Sequence, residues 1–281
     1  MEELSSILED FEKKREAIRA MADSAPAAKK PDLLAASRML ERAIFHVDRA
    51  KRRTQVEKTV QADVGEMLDI EIEQDLLEAN KRMAEENREL FRRYGVLAID
   101  VMGAIGSGKT SLIAAMVNRL KGKKRCGMIG GDVATSIDSE LVKESGAQSL
   151  QVNTGKECHL DANLIRRALE SMNLDSVDVL FIENVGNLIC PAEFDLGCSK
   201  NLVVVSVTEG EYMVVKHPMM FMEADVVAIN KIDMAEAFGT DVDRLEEDLR
   251  SINPDAKAVR TSVRTGEGLD DLVSLLFPSL D

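Results

Sequence analysis

The sequence has no tryptophan and, among its 281 residues, only three histidines, four cysteines and six prolines. Aromatic residues make up 4% of the chain, so a buried core has to be built from aliphatic side chains and from the 14 methionines. No apolar run approaches the roughly 20 residues that span a bilayer, and the acidic start Met1-Glu2-Glu3 lacks the apolar stretch of a secretory signal. We therefore expect no membrane segment and a cytoplasmic location.

Basic residues are too few for a nucleic-acid surface. The chain has 50 acidic and 36 basic residues, and the net charge of −14 repels a phosphate backbone. Apolar residues still reach 45%, which is enough for one large α/β domain plus an accessory segment. Nucleic acid is therefore not expected as a partner.

The clearest motif is Gly-Ala-Ile-Gly-Ser-Gly-Lys-Thr at residues 103–110, which fits the phosphate-binding P-loop pattern. It lies between a predicted strand at 96–102 and a predicted helix at 109–120, which is the order that a P-loop requires. Glycines let successive backbone N–H groups point at phosphates, and the helix N-terminus adds partial positive charge. We expect Lys109 to bind the β- and γ-phosphates and Thr110 to bind Mg²⁺. The predicted nucleotide-binding residues here are Gly103, Ala104, Gly106, Ser107, Gly108, Lys109, Thr110 and Ser111.

A second motif, Asn230-Lys231-Ile232-Asp233, follows an apolar predicted strand and has the N-K-x-D pattern with which P-loop GTPases read guanine. The Asp233 carboxylate can accept hydrogen bonds from N1–H and the 2-amino group of guanine, and adenine offers neither donor there. Asn230 can bond the base edge, while the Lys231 stem covers its face. Ser262 and Val263, after the last predicted strand, resemble the second guanine-contacting loop. The sequence therefore predicts GTP as the nucleotide.

Two further segments follow predicted strands. Glu183-Asn184-Val185-Gly186 stands where GTPases carry D-x-x-G, so the Gly186 N–H can sense the γ-phosphate and Glu183 can reach Mg²⁺ through water. Asp132 can hold Mg²⁺ or orient the attacking water, with a helix or turn cap as the alternative. The predicted catalytic residues are Lys109, Asp132 and Glu183, and the predicted Mg²⁺ residues are Thr110, Asp132 and Glu183.

Strands and helices alternate after residue 95, which predicts an α/β fold with a doubly wound, mostly parallel sheet. Predicted strands lie at 96–102, 126–131, 148–153, 178–183, 202–206, 225–230 and 257–260. Predicted helices lie at 109–120, 138–145, 161–172, 216–223, 241–251 and 268–276. Before this domain of residues 96–281, the apolar spacing predicts a helical hairpin over 1–58 and a helix within 59–95. The hairpin is either a partner-docking module or an appendage of the main domain.

The four cysteines suggest metal binding or buried thiols before disulfides. Cys158-His159 and Cys190-Pro191 offer thiolate and imidazole, which are ligands for Zn²⁺, Ni²⁺ or Cu⁺. Spacing alone leaves a metal site and incidental thiols open and favours the latter. Cys126 is expected in the core, and Cys198 is either a fourth ligand or inert.

Four stretches together resemble hydrogenase nickel-incorporation GTPases of the HypB type. They are the P-loop, the N-K-x-D motif, Gly155-Lys156-Glu157-Cys158-His159-Leu160-Asp161-Ala162 and Glu183-Asn184-Val185-Gly186-Asn187-Leu188-Ile189-Cys190-Pro191. The resemblance implies a SIMIBI-like P-loop NTPase that hydrolyses GTP and delivers Ni²⁺ for [NiFe]-hydrogenase maturation. It implies Cys158, His159 and Cys190 as ligands for Ni²⁺ or Zn²⁺. It also implies a GTP-bound homodimer, with Lys216 as a possible contact to the partner's nucleotide. The implied partners are a small zinc- and nickel-binding accessory protein and the hydrogenase large-subunit precursor.

The sequence departs from this family in places. No cysteine precedes Cys126 and no histidine-rich tract occurs, so an N-terminal nickel motif and nickel storage are not expected. Asn187, and not a catalytic glutamine, follows Gly186, so we expect slow intrinsic hydrolysis. Two alternatives stay open at this point: the related urease nickel-insertion GTPase, and a regulatory GTPase without a functional metal.

Overall fold

The computed structural model describes residues 2–26, 64–131, 147–154 and 159–278, with scattered residues between 29 and 47. The chain divides into two compact units, Met1–Ile70 and Glu71–Asp281. In the first unit, helix α1 (Glu2–Ser24) is found within the predicted hairpin, and Arg19 Nε donates a hydrogen bond to the buried Ser37 hydroxyl at 3.3 Å. Residues 27–28 and 48–63 lie outside the described residues, so the hairpin over 1–58 stays a prediction.

Helix α2 (Val64–Tyr94) ends at Gly95, whose φ of 64° suits the left-handed end of a helix. All the predicted strands are then found, within one or two residues of their predicted bounds. They are β1 (Leu97–Gly103), β2 (Cys126–Gly130), β3 (Gln148–Gln151), β4 (Val179–Glu183), β5 (Lys200–Ser206), β6 (Val226–Asn230) and β7 (Lys257–Thr261). In the described part of the chain they form one sheet in the order β3-β2-β4-β1-β5-β6-β7, with every neighbouring pair parallel. The predicted doubly wound parallel fold is confirmed.

The helices between the strands are α3 (Lys109–Leu120), α4 (Ala162–Glu170), α5 (Met213–Lys216), α6 (Pro218–Met222), α7 (Ala235–Phe238), α8 (Val242–Ile252) and α9 (Leu269–Leu276). The single helix predicted at 216–223 is wrong, because the chain breaks at His217 into α5 and α6. Pro218 has no backbone N–H and disfavours helical geometry in the residue before it, and His217 has φ −127° and ψ 51°. The predicted helix at 138–145 lies outside the described residues. No helix of the described ranges is both long and apolar enough to cross a membrane.

The core lies on both faces of the sheet, and alternate residues of β1 show how it is divided. Ile99 and Val101 pack in the cluster beneath α3 and α9, whereas Ala98 packs with α2 and α4. Met102 belongs to a third cluster beneath α8. Because helices cover both faces, the central strands are apolar almost throughout, and the core is aliphatic and rich in methionine as the composition predicts.

A carboxyl group lies buried in this core. Asp100 in β1 is 3% exposed, and burial raises the pKa of its carboxyl to about 8. The Asn184 amide donates to the carboxyl at 3.3 Å and opposes this rise in pKa, while the charge of Asp195 adds to it. The folded protein therefore holds a proton here at neutral pH that an unfolded chain releases.

Because of this proton, the free energy of unfolding falls as the pH rises. The contribution of Asp100 is fully present below its unfolded pKa of about 4 and is lost as the pH rises through about 8. We expect Asp100→Asn, which cannot ionise, to reduce the loss of unfolding free energy between pH 6 and 8 by about 2 kcal/mol. Urea unfolding of the full chain at each pH measures this slope.

Asp178→Asn is the matched control. Its carboxyl is paired with Arg125, which lowers its pKa to about 2, so it stays ionised from pH 6 to 8 and the slope should not change. Equal slopes in wild type and Asp100→Asn would contradict the expectation.

Candidate functional site

The P-loop backbone lies so close to the neighbouring strands that two of its glycines have no room for a side chain. A Cβ on Gly103 would overlap the Val204 carbonyl oxygen of β5, and one on Gly108 would overlap the Asn230 side-chain amide. Both glycines also have positive φ, 148° and 99°. The loop therefore keeps its backbone close to β5 and β6, and α3 begins directly after it.

At the start of α3, Lys109 bonds to carbonyls of the P-loop and Thr110 bonds to a carboxylate at the end of β4. The buried Lys109 ammonium donates to the Gly103 and Ala104 carbonyls at 3.1 Å each, so its charge lies inside the loop. The Thr110 hydroxyl donates to Glu183 Oε1 at 2.7 Å. A hydroxyl beside a carboxylate is a set of hard oxygen donors that fits Mg²⁺.

Glu183 also begins a segment that packs on the P-loop. A Cβ on Gly186 would overlap Ile105, and Asn187 forms an isolated antiparallel bridge with Gly103. The structure thus brings Glu183 and Gly186 to the P-loop, as the sequence predicts. Asp132, predicted near the same edge, lies outside the described residues, and Ser111 is exposed in the first turn of α3.

The N-K-x-D segment is hydrogen-bonded to the P-loop from the other side. Asn230, 2% exposed, donates to the Ser107 carbonyl at 2.9 Å, and its Oδ1 accepts from the Thr261 hydroxyl at 3.3 Å. Lys231 donates to the Gly106 carbonyl at 2.6 Å and has a positive φ of 61°. The predicted base-reading and phosphate-binding segments therefore form one bonded structure.

The Asp233 carboxylate is ionised and held in place. The Ser262 hydroxyl donates to Oδ1 at 2.5 Å and Arg264 Nε to Oδ2 at 2.7 Å, and both partners lower the pKa of Asp233. Its side chain keeps 9% exposure. Val263, predicted beside Ser262, is partly buried against the cluster beneath α3 and α9. Sequence reasoning did not predict the ion pair with Arg264.

A second residue, Glu209, had no role assigned to it from the sequence. It lies in the turn after β5, and its Oε1 accepts from the Ser206 N–H at 3.1 Å. Burial raises the pKa of Glu209, while the positive charges of Lys231 and Lys109 act in the opposite direction. It belongs to the stretch Ser206-Val207-Thr208-Glu209-Gly210, which resembles the HypB-type family, and its place after β5, the neighbour of β1, brings it to the P-loop edge of the sheet.

The structure describes two of the three predicted metal ligands. The His159 ring stacks on Phe194 with centroids 3.8 Å apart and planes at 25°, and Cys190 begins a 3₁₀ turn that also contains Pro191. Cys158 lies outside the described residues. Within the described ranges, no three His, Cys, Asp or Glu side chains are grouped as a metal site.

The remaining thiols, Cys126 and Cys198, have raised pKa values because of burial. Burial raises the pKa of Cys126 to about 11 and that of Cys198 well above its ordinary value. Neither they nor Cys190 form a disulfide with another described residue. Lys216, the predicted dimer contact, is exposed at the end of α5.

The chain is similar in sequence to a known family of nucleotide-binding domains. A profile described as the CobW/HypB/UreG nucleotide-binding domain matches residues 97–260, more than half of the chain. The probable hydrogenase maturation factor HypB of Methanocaldococcus jannaschii is 51% identical over 211 residues, which cover 75% of this chain and 96% of that protein.

Two solved structures have the same fold. The crystal structure of HypB from Archaeoglobus fulgidus has a TM-score of 0.69 and 45% identity, covering 72% of this chain and 99% of that one. HypB from Helicobacter pylori in complex with nickel has a TM-score of 0.68 and 33% identity, covering 72% and 95%. The chain therefore belongs to the CobW/HypB/UreG family, in its HypB group.

Proposed function

We propose that this protein is a GTP-hydrolysing metallochaperone that delivers nickel for maturation of [NiFe]-hydrogenase. The observation that carries the proposal is the segment from Glu183 to Cys190, which packs on the P-loop at Gly186 and reaches a candidate metal ligand four residues later. The names of the relatives, hydrogenase maturation factor and HypB in complex with nickel, support it.

GTP is bound by the two bonded segments. Asp233 accepts from the guanine edge, Asn230 and Lys231 fix that edge relative to the P-loop, and Lys109 neutralises the phosphates. When bound, Mg²⁺ adds positive charge at the β- and γ-phosphates, and Thr110 and Glu183 hold it. Gly103, Ala104, Gly106, Ser107 and Gly108 supply the phosphate cradle, and Ser111, Ser262 and Val263 complete the proposed nucleotide contacts.

Hydrolysis of GTP is slow in the isolated protein. Glu183 and Asp132 hold Mg²⁺ or orient water, but Asn187 follows Gly186 where a catalytic glutamine would position the attacking water. The P-loop then binds the nucleotide firmly while transition-state charge is incompletely stabilised.

Nickel is the cargo, held by Cys158, His159 and Cys190. Three ligands leave a coordination position open for the recipient or for a second subunit. Ile105 in the P-loop and Ile189 in this segment are large apolar side chains that are 83% and 61% exposed, which supports a GTP-bound homodimer with Lys216 reaching the partner's nucleotide. An accessory zinc- and nickel-binding protein and the hydrogenase large-subunit precursor complete the proposed pathway.

Base choice tests the guanine site. We expect Asp233→Asn to lose about tenfold or more in GTP affinity, because a charge-assisted bond to the guanine edge is lost. The variant should gain affinity for xanthosine triphosphate, whose 2-oxo group accepts a bond from the new amide. Competition titrations with GTP, ATP and xanthosine triphosphate measure both effects. Wild-type protein that binds ATP as tightly as GTP would refute the assignment.

Lys109 tests the phosphate site. We expect a wild-type turnover well below 1 s⁻¹, and we expect Lys109→Ala to abolish it and to weaken GTP binding, since the buried ammonium is the cation of the loop. Lys121→Ala, an exposed residue after α3, is the control and should leave both unchanged. Phosphate release by isolated protein is the measurement, and a fast basal rate argues against the proposal.

Cys190 tests the coupling of nucleotide and nickel. We expect Ni²⁺ affinity to differ about 100-fold between GTP-analogue and GDP states, which corresponds to about 2.7 kcal/mol of coupling. Cys190→Ala should remove this difference and leave GTP binding intact, whereas Cys198→Ala, at a partly buried thiol, should preserve it. Isothermal titration measures the affinities and light scattering the dimer. Equal Ni²⁺ affinity in both nucleotide states, or a protein that stays monomeric with the GTP analogue bound, would contradict this mechanism.

A further inference from the structure

Two asparagines are buried on one face of α2. Asn80 is 8% exposed and Asn87 is fully buried, and they lie two helical turns apart on either side of the buried Ala84. Amide side chains are uncommon in such a packed face, because every donor and acceptor has to find a partner there.

Each asparagine joins the same two backbone segments. Asn80 Oδ1 accepts from the Ala162 N–H at 2.8 Å, and its Nδ2 donates to the Asp195 carbonyl at 2.8 Å. Asn87 Nδ2 donates to the Ala162 carbonyl at 2.8 Å and to the Leu196 carbonyl at 3.3 Å. Both bonds of each amide go to main chain, so they fix backbone positions and not side-chain rotamers.

The two segments are those that carry the candidate nickel ligands. Ala162 lies three residues after His159, and Asp195 lies five residues after Cys190. Between these points the His159 ring stacks on Phe194, so the two segments also meet directly. The Asn184 amide oxygen accepts a hydrogen bond from the Leu160 N–H at 3.0 Å, which also joins the His159 segment to the segment that begins at Glu183.

The backbone of α2 also contacts the loop that contains Gly197. A Cβ on Gly197, which has a φ of 83°, would overlap the Ala84 carbonyl, so the loop lies directly on α2. Asn87 Oδ1 is buried and meets no donor among the described residues. An apolar residue would avoid that orphaned acceptor, so packing alone does not account for an asparagine at this position.

We propose that Asn80 and Asn87 are positioning residues that set the separation of the His159 and Cys190 segments, and so the geometry of the nickel site. This inference rests on the proposed nickel function. Groups that orient metal ligands from behind commonly change metal affinity by about 10- to 100-fold when they are removed.

The first experiment measures nickel binding to the full chain. Asn80→Ala/Asn87→Ala should lower Ni²⁺ affinity about 10-fold or more and shift the thiolate-to-nickel absorption band, with GDP affinity unchanged. Lys81→Ala/Glu86→Ala, at exposed positions of the same helix, is the matched control and should behave as wild type. Wild-type affinity and absorption in a folded double-asparagine variant would overturn the inference.

A milder variant separates the two bonds of one amide. In its ionised form Asn80→Asp keeps the acceptor for the Ala162 N–H but loses the donor to the Asp195 carbonyl. Hydrogen exchange should therefore quicken in residues 193–198 and stay slow in 160–164. Faster hydrogen exchange confined to residues 193–198 would support the positioning role of Asn80. An equal change of exchange rate in both segments, or no change in either, would overturn it.

The exchange measurement needs no metal, so it separates two failures. If wild-type protein bound no nickel through Cys190, the proposed function would fail, and the exchange pattern would still decide whether the asparagines hold the segments. Nickel binding by wild type together with an unaltered nickel site in Asn80→Ala/Asn87→Ala would leave the proposed function intact and refute the inference.

Discussion

The pairing of β1 with β4 on one side and β5 on the other is the constraint on which the rest of the site depends. In the parallel register Val101 lies opposite Glu183, and Gly103 lies opposite Val204. The carboxyl ends of these strands therefore deliver the P-loop, the Glu183 segment and the turn with Glu209 to one edge. β6 then adds Asn230 to the same edge through its pairing with β5. A shift of register between β1 and β4 would separate Thr110 from Glu183.

The local parts of this arrangement could be predicted from sequence. Strands buried on both faces show as continuous apolar runs, so the strands were predicted within one or two residues of their bounds. The P-loop and N-K-x-D motifs are contiguous, so Lys109, Thr110 and Asn230 could be named as candidates, and their nucleotide roles stay predictions. The break at His217 was signalled by Pro218, but the apolar pattern on both sides concealed it.

The contacts that could not be predicted join residues far apart in the chain. Arg264 pairs with Asp233 from a different loop, and Asn87 reaches Leu196 across more than a hundred residues. No periodicity or motif marks a residue whose partner is a backbone carbonyl elsewhere in the fold. Asp132 and Cys158 keep the status of predictions, because they lie outside the described residues.

The bonds from Asn230 and Lys231 to the P-loop have a consequence for how affinity is composed. In the proposed GTP complex, base and triphosphate contact two parts of one hydrogen-bonded receptor, so the second contact is intramolecular once the first has formed. Little further rotational or loop entropy is then lost. A nucleotide should bind far more tightly than the separate affinities of a nucleoside and an inorganic triphosphate suggest, and fragments of it should compete poorly.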